Sequence, residues 1–321
     1  MKKALIIVGK IILAFLILDI IVVLIMFVYN RIMLRKEDKL LENYPGQLVE
    51  VDGHNMNVYV EGEGKHTLVF LSPSQDVSPA ITFKPLYSKL NSEYKTVVVE
   101  KFGYGMSDIV DTERDYKTMV DECRTALKNA GVEAPYILCP YSKSGLDTLI
   151  WVQEYPDEVE AVVGIDMAFP EHLKKMNIDT ETLKKTADFM NIARATGIIR
   201  LFVPDSAFSS LHSEDDIKLE RALVCRKFGN KVINYSEFVT IPDACELIDS
   251  RQVPNKPMLL FLTSGVTEMD TRIWREISHS YVDDLENVSF TTFECNHYEI
   301  IEKESEQMSH DIRAFTDKID D

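Results

Sequence analysis

Apolar and polar positions divide this 321-residue chain into three kinds of stretch. The first is continuous. Residues 4–28, ALIIVGKIILAFLILDIIVVLIMFV, are apolar apart from Lys10 and Asp19. As a helix rising about 1.5 Å per residue the stretch reaches roughly 37 Å, enough to cross a bilayer. It runs on as FVYNRIMLRK with no small-x-small cleavage pattern, so an uncleaved single-pass membrane anchor is expected rather than a removed signal peptide. Basic residues flank both ends, Lys2 and Lys3 before it and Arg31, Arg35, Lys36 and Lys39 after it. This bias leans toward a cytoplasmic body, a lean that the short MKK start offsets, and the orientation stays open.

The second kind is short and apolar, alternating with the third, which repeats at helical spacing. QLVEVDGHNMNVYVEG reads as two strands around an Asp52-Gly53 turn. TLVFL (67–71), KTVVVE (95–100), YILC (136–139), AVVGID (161–166), MLLFLT (258–263) and VSFTTFE (288–294) read as buried strands. Between them lie helical patterns such as DYKTMVDECRTALKNAG and GLDTLIWVQEYP. Val/Ile/Leu runs alternating with helices predict an α/β fold, a mostly parallel sheet with helices on both faces. Residues 170–253 carry helical periodicity and no strong strand, which predicts a helical cap inserted over the strand ends. The expected organisation is thus an anchor with flanks (1–36), a polar linker (37–46), a core (47–169 and 254–321) and the cap (170–253).

Charge narrows the partners. Beyond residue 36 lie 29 of the 35 basic and 51 of the 52 acidic side chains, a net charge of −22. A body this acidic repels phosphate backbones, which argues against nucleic acid. The expected partners are the membrane, through residues 4–28, and a small-molecule or short peptide substrate. The five cysteines (123, 139, 225, 245 and 295) show no C-x-x-C spacing, and no metal-ligand cluster stands out, so neither a disulfide framework nor a metal or other cofactor is expected.

One stretch carries chemistry: CPYSKSG, residues 139–145, between a predicted strand and a predicted helix. A serine at such a turn is pushed into the open, with a helix N-terminus behind it to favour developing negative charge. Ser142 has small residues after it, Ser144 and Gly145. Ser144, the competing nucleophile, needs a small residue at 146 and meets Leu146. His297, after the last predicted strand, stands where a general base is needed; His54, His66, His172, His212, His279 and His310 fall in predicted turns, the cap or surface helices.

Four segments in register resemble the α/β-hydrolase fold family, specifically its cap-bearing esterase, peptidase and haloperoxidase-like branch. They are LVFLSPSQ, VVVEKFGYGMSD, CPYSKSGLDTLIWVQEYPDEV and FECNHYEI, and the resemblance spans roughly residues 47–317. It departs from the family at Ser72-Pro73, where His-Gly is usual, and at Pro140 and Ser144, where the elbow has glycines. The resemblance implies a serine hydrolase acting on an ester, amide or peptide bond through an acyl-enzyme, with a Ser-His-Asp/Glu triad. It implies Ser142 as nucleophile and His297 as base. The acid is either Asp166, after the strand that follows the elbow helix, or Glu268, in the loop SGVTEMD after the strand that follows the cap. It also implies an oxyanion hole of the Lys143 and Ser74 backbone N–H groups, since Pro73 cannot donate. The Lys143 ammonium either faces solvent or favours an anionic group on the substrate. The alternative reading is a non-catalytic binding or scaffold protein on the same fold.

Overall fold

The structure is a computed structural model that describes residues 2–320 except 111, 177, 205–207, 209, 210, 254, 267 and 268. Its centre is an eight-stranded sheet: β1 (Gln47–Val51), β2 (His54–Glu61), β3 (Thr67–Leu71), β4 (Lys95–Glu100), β5 (Tyr136–Pro140), β6 (Val159–Ile165), β7 (Met258–Leu262) and β8 (Val288–Thr292). The strand order is β1-β2-β4-β3-β5-β6-β7-β8. The β1–β2 hairpin is antiparallel and joins β4 antiparallel; the strands from β4 to β8 are all parallel.

The sheet is buried on both faces because its central strands carry apolar runs that alternate between the two faces, with their few polar residues near the strand ends. Val69, Leu71, Val97, Val99, Leu138 and Val162 point to one layer, and Leu68, Phe70, Val98, Ile137, Cys139 and Val163 to the other. The first layer is closed by α4 (Tyr116–Asn129), α5 (Gly145–Glu154) and α11 (Thr271–Tyr281); the second by α3 (Lys84–Tyr87) and α12 (Ile300–Asp320), while α2 (Pro79–Thr82) packs in a smaller cluster with Leu41 and Tyr44. The strand order reverses between β3 and β5, and ligand chemistry in parallel sheets sits beyond the carboxyl ends at such a point.

Two expected boundaries shift. The polar segment 37–46 is not a free linker, because α1 (Lys2–Leu41) runs on into its first half and the turn that follows packs on the body. Leu41 and Tyr44 bury against Leu219 and Leu223 of α8 (Glu214–Lys227), and Glu37 pairs with Arg200. A few apolar residues spaced along a polar stretch carry this packing. Between β6 and β7 the chain is helical, as α6 (Pro170–Lys175), α7 (Thr180–Thr196), α8, α9 (Glu237–Val239) and α10 (Ile241–Asp249). Its last helix, however, belongs to the main core: Ile241, Ala244, Cys245 and Ile248 share a layer with α5. All five cysteines are free and buried.

Candidate active site

β5 ends at Pro140, and the chain turns through a short 3-10 segment, Ser142–Ser144, into α5. Ser142 takes a left-handed backbone, φ +59°, which a non-glycine residue adopts only when its surroundings hold it there. The surroundings are visible. Ser144 Oγ accepts the Tyr141 amide hydrogen at 2.9 Å, and its own hydrogen faces the Leu71 and Tyr141 carbonyl oxygens, each 2.8 Å away. The Ser142 carbonyl accepts from Ala168 N–H at 2.8 Å. Gly145 is required where it stands, since a Cβ there falls 2.2 Å from the Ala168 oxygen. Ser144 is fully buried and Ser142 is partly exposed, so only Ser142 is presented to a substrate.

The structure brings Ser142, His297 and Asp166 together from the ends of three strands. His297 Nε2 lies 2.8 Å from Ser142 Oγ, and Nδ1 lies 2.6 Å from Asp166 Oδ2. The histidine loop is tied down by Tyr141, whose hydroxyl donates to the His297 carbonyl at 2.6 Å, and by His297 N–H on Gly265 O at 3.2 Å. Asp166, one residue beyond β6, is fully buried. It accepts from Thr263 N–H at 3.0 Å, from the Thr263 hydroxyl and from Trp274 Nε1–H at 2.9 Å. Burial opposes its charge, but the hydrogen bond and charge of His297, with the Thr263 donors, outweigh that and hold the carboxyl below the usual aspartate range.

Glu268, the other predicted acid, lies outside the described residues. Asp270 is accounted for: its carboxylate caps α11 on the Arg272 and Ile273 amides. The first position after β7 holds Thr263, a donor that completes Asp166.

Ser74 and Lys143 follow β3 and β5, which are neighbours with Leu71 opposite Pro140, so the two loops adjoin. The Lys143 amide is in the first turn of a helix, where N–H groups are left without intrahelical partners.

The Lys143 side chain meets neither expectation. It is buried beneath the elbow, paired with Glu237, and within 3.3 Å of the Tyr116 hydroxyl. A second buried lysine, Lys101, contacts Asp147 at 3.2 Å and stands 3.8 Å from Glu237; Tyr104 O–H donates to Glu237 at 2.9 Å. A π-helical turn, Val232–Ser236, delivers Glu237 to this group. Burial raises the Glu237 pKa, but the two ammoniums outweigh it and hold the carboxylate below its usual range. The four charges thus balance underneath Ser142, and the lysine is spent on the fold. Glu237→Leu leaves two buried ammoniums facing Asp147 alone, and is expected to destabilise the fold by about 3–5 kcal/mol, read from denaturant unfolding.

Two supporting residues carry no signal in the sequence alone. His172, in the segment expected as cap, is fully buried and stacked on Trp274 with ring centroids 4.0 Å apart. Its Nδ1 accepts from Phe169 N–H at 3.0 Å, so Nε2 carries the hydrogen and donates to Trp274 O at 2.8 Å. Burial pushes its pKa down to about 4, which keeps it neutral while it positions the tryptophan that donates to Asp166.

Comparison with known proteins adds the family. No protein-family model matches the chain. It is 35% identical over 234 residues to the uncharacterized protein YbdG of Bacillus subtilis, covering 73% of this chain and 70% of that protein. It is 25% identical over 125 residues, 39% of this chain and 44% of the other, to a 2-(acetamidomethylene)succinate hydrolase of Mesorhizobium japonicum. Among solved structures, a thermophilic esterase from Thermogutta terrifontis superposes with a TM-score of 0.62 at 15% identity, over 85% of this chain and 98% of that one. The chain belongs to the α/β-hydrolase fold family. The family-like segment VVVEKFGYGMSD has a structural reason here. Glu100 is fully buried and accepts from Tyr44 O–H at 2.5 Å, Met106 N–H at 2.8 Å and Asn57 Nδ2 at 3.0 Å. Gly105, at φ +44°, gives it room, since a Cβ there falls 1.7 Å from Glu100 Oε2.

Proposed function

We propose that the chain is a membrane-anchored serine hydrolase that cleaves an ester, amide or peptide bond through an acyl-enzyme. The observation that carries this reading is the relay geometry: His297 stands 2.8 Å from Ser142 on one nitrogen and 2.6 Å from Asp166 on the other. As Ser142 Oγ bonds to the substrate carbonyl carbon, its proton passes to His297 Nε2, and the oxyanion meets the Lys143 and Ser74 amides. The carbonyl re-forms, the bond to the leaving group breaks, and His297 returns the proton to that group. Water, activated by His297, then releases the acid and restores Ser142. Asp166 keeps the Nδ1–H tautomer and stabilises the imidazolium. The elbow carries serine and not aspartate, which favours acyl transfer. A relative named as a hydrolase and a structural neighbour titled an esterase support bond hydrolysis.

Anchoring is supported by α1. It holds one stretch long and apolar enough to cross a membrane, and that stretch is not buried in the protein. The same helix continues into residues that pack on the folded body, as Asn30 and Glu37 do on Arg200. A signal sequence removed by cleavage has no reason to share an unbroken helix with the body's own packing.

The test is labelling of the full-length protein in detergent by a fluorophosphonate. Wild type and Ser144→Ala are expected to label, and Ser142→Ala is not. A folded wild-type protein that does not label returns the reading to a non-catalytic hydrolase fold.

A further inference from the structure

Four large apolar side chains on the helical segment between β6 and β7 are turned outward: Phe189 and Ile192 on α7, and Leu201 and Phe202 on the 3-10 turn that follows it, are 61–73% exposed. A soluble surface seldom leaves such side chains together in water. Their position along α1 gives the reason. α7 ends at Gly197, which lies against Met26 and Asn30 of α1; a Cβ there falls 2.4 Å from Asn30 Cβ. Asn30 Nδ2 donates to Arg194 O at 3.2 Å, and Arg200 Nε donates to Asn30 Oδ1 at 2.7 Å. This is where α1 leaves its apolar stretch. Phe27, with the Arg31 guanidinium over its ring, and Tyr29 stand at that level, the aromatic and basic residues that mark a bilayer–water boundary. Leu201 borders a cavity of about 650 Å³ with Ile25, Met26, Tyr29 and Met33 of α1, lined on its polar side by Glu37, Arg200, Lys218 and Arg221.

We propose that the α7 end and the turn after it are seated in the interfacial layer of the bilayer that α1 spans, with Ile192 and Phe202 among lipid chains. The occupant of this face is the lipid surface. The fixed packing of Gly197 and Arg200 on α1 holds the face at the boundary, beside a helix whose own apolar side chains are exposed as far as Ile32. The insertion next to the nucleophile is thereby docked on the membrane, and substrates that partition into lipid are favoured. The proposal rests on α1 spanning the bilayer.

The experiment uses the full chain in phosphatidylcholine–phosphatidylglycerol vesicles with and without brominated lipid, which quenches tryptophan on contact. Trp151 and Trp274 are fully buried and give a constant background. Single variants Phe202→Trp, Ile192→Trp, Phe15→Trp (within α1) and Leu48→Trp are compared. Leu48 borders a cavity with Asp38 and Leu41, a dozen residues and so roughly 20 Å of helix beyond the boundary. Quenching at 202, 192 and 15 but not at 48 is the expected result. Quenching at 15 with none at 192, at 202 or at both overturns the seating and leaves the anchor standing. No quenching at 15 overturns both.

Discussion

Ser142→Ala is expected to lower kcat for a short-chain p-nitrophenyl ester by about 10⁴- to 10⁶-fold, the scale seen when a triad nucleophile is removed. The size follows from how the three groups act. Oγ 2.8 Å from His297 is useful only because the imidazole can take its proton, and the imidazole has no task without Oγ. His297→Ala is therefore expected to fall as far, and the double variant no further than either one alone. Additive losses contradict a shared step. Ser144→Ala separates chemistry from architecture. Its hydroxyl is buried, accepts from Tyr141 N–H and donates to Leu71 O, so the loss is expected in unfolding free energy, about 1 kcal/mol for each of these two hydrogen bonds, with kcat near wild type.

The sequence was most informative where burial is uniform. β3 to β7 each hold a buried run of apolar residues, so TLVFL, KTVVVE and MLLFLT mark their strands to within a residue. The elbow was legible because strand, turn and helix signals meet at one serine. The supporting groups were not, because contacts over long sequence separations leave no local trace. Thr263 and Trp274 reach Asp166 across 97 and 108 residues, and Glu237 reaches Lys143 across 94. Each is an ordinary residue in its own neighbourhood. Lys143 shows the cost: beside an exposed serine a lysine suggests a ligand for anions, yet its partner comes from a π-helical turn that no periodicity announces. Residues 37–46 depart from a linker for a related reason. Residues 37–46 are polar on average, while the few apolar ones, Leu40, Leu41 and Tyr44, decide the packing against α8.

Asp166→Asn is expected to lower kcat about 10⁴-fold while leaving the fold in place, the size found when a triad acid is made neutral without changing its shape. Three donors, Thr263 N–H, Thr263 Oγ–H and Trp274 Nε1–H, already face this side chain. An asparagine must turn its one oxygen toward the two N–H donors on the Oδ1 side, Thr263 and Trp274, and its NH₂ group then takes the Oδ2 place beside the Thr263 hydroxyl and meets His297 Nδ1. That nitrogen becomes an acceptor, the hydrogen moves to Nε2, and Ser142 faces a donor where it needs a base. Stability carries a second signature. The folded pKa of Asp166 is depressed, so its contribution is full above the ordinary aspartate value of about 3.9 and is lost as pH falls through the lower folded value. Below that window wild type and Asp166→Asn are expected to converge in melting temperature, and above it wild type is expected to melt higher. Glu268→Gln is expected to keep wild-type kcat. A loss in Glu268→Gln with Asp166→Asn unaffected reassigns the acid; a loss in Asp166→Asn alone, with the pH dependence as stated, fixes the charge on Asp166 as the one that sets the histidine's tautomer.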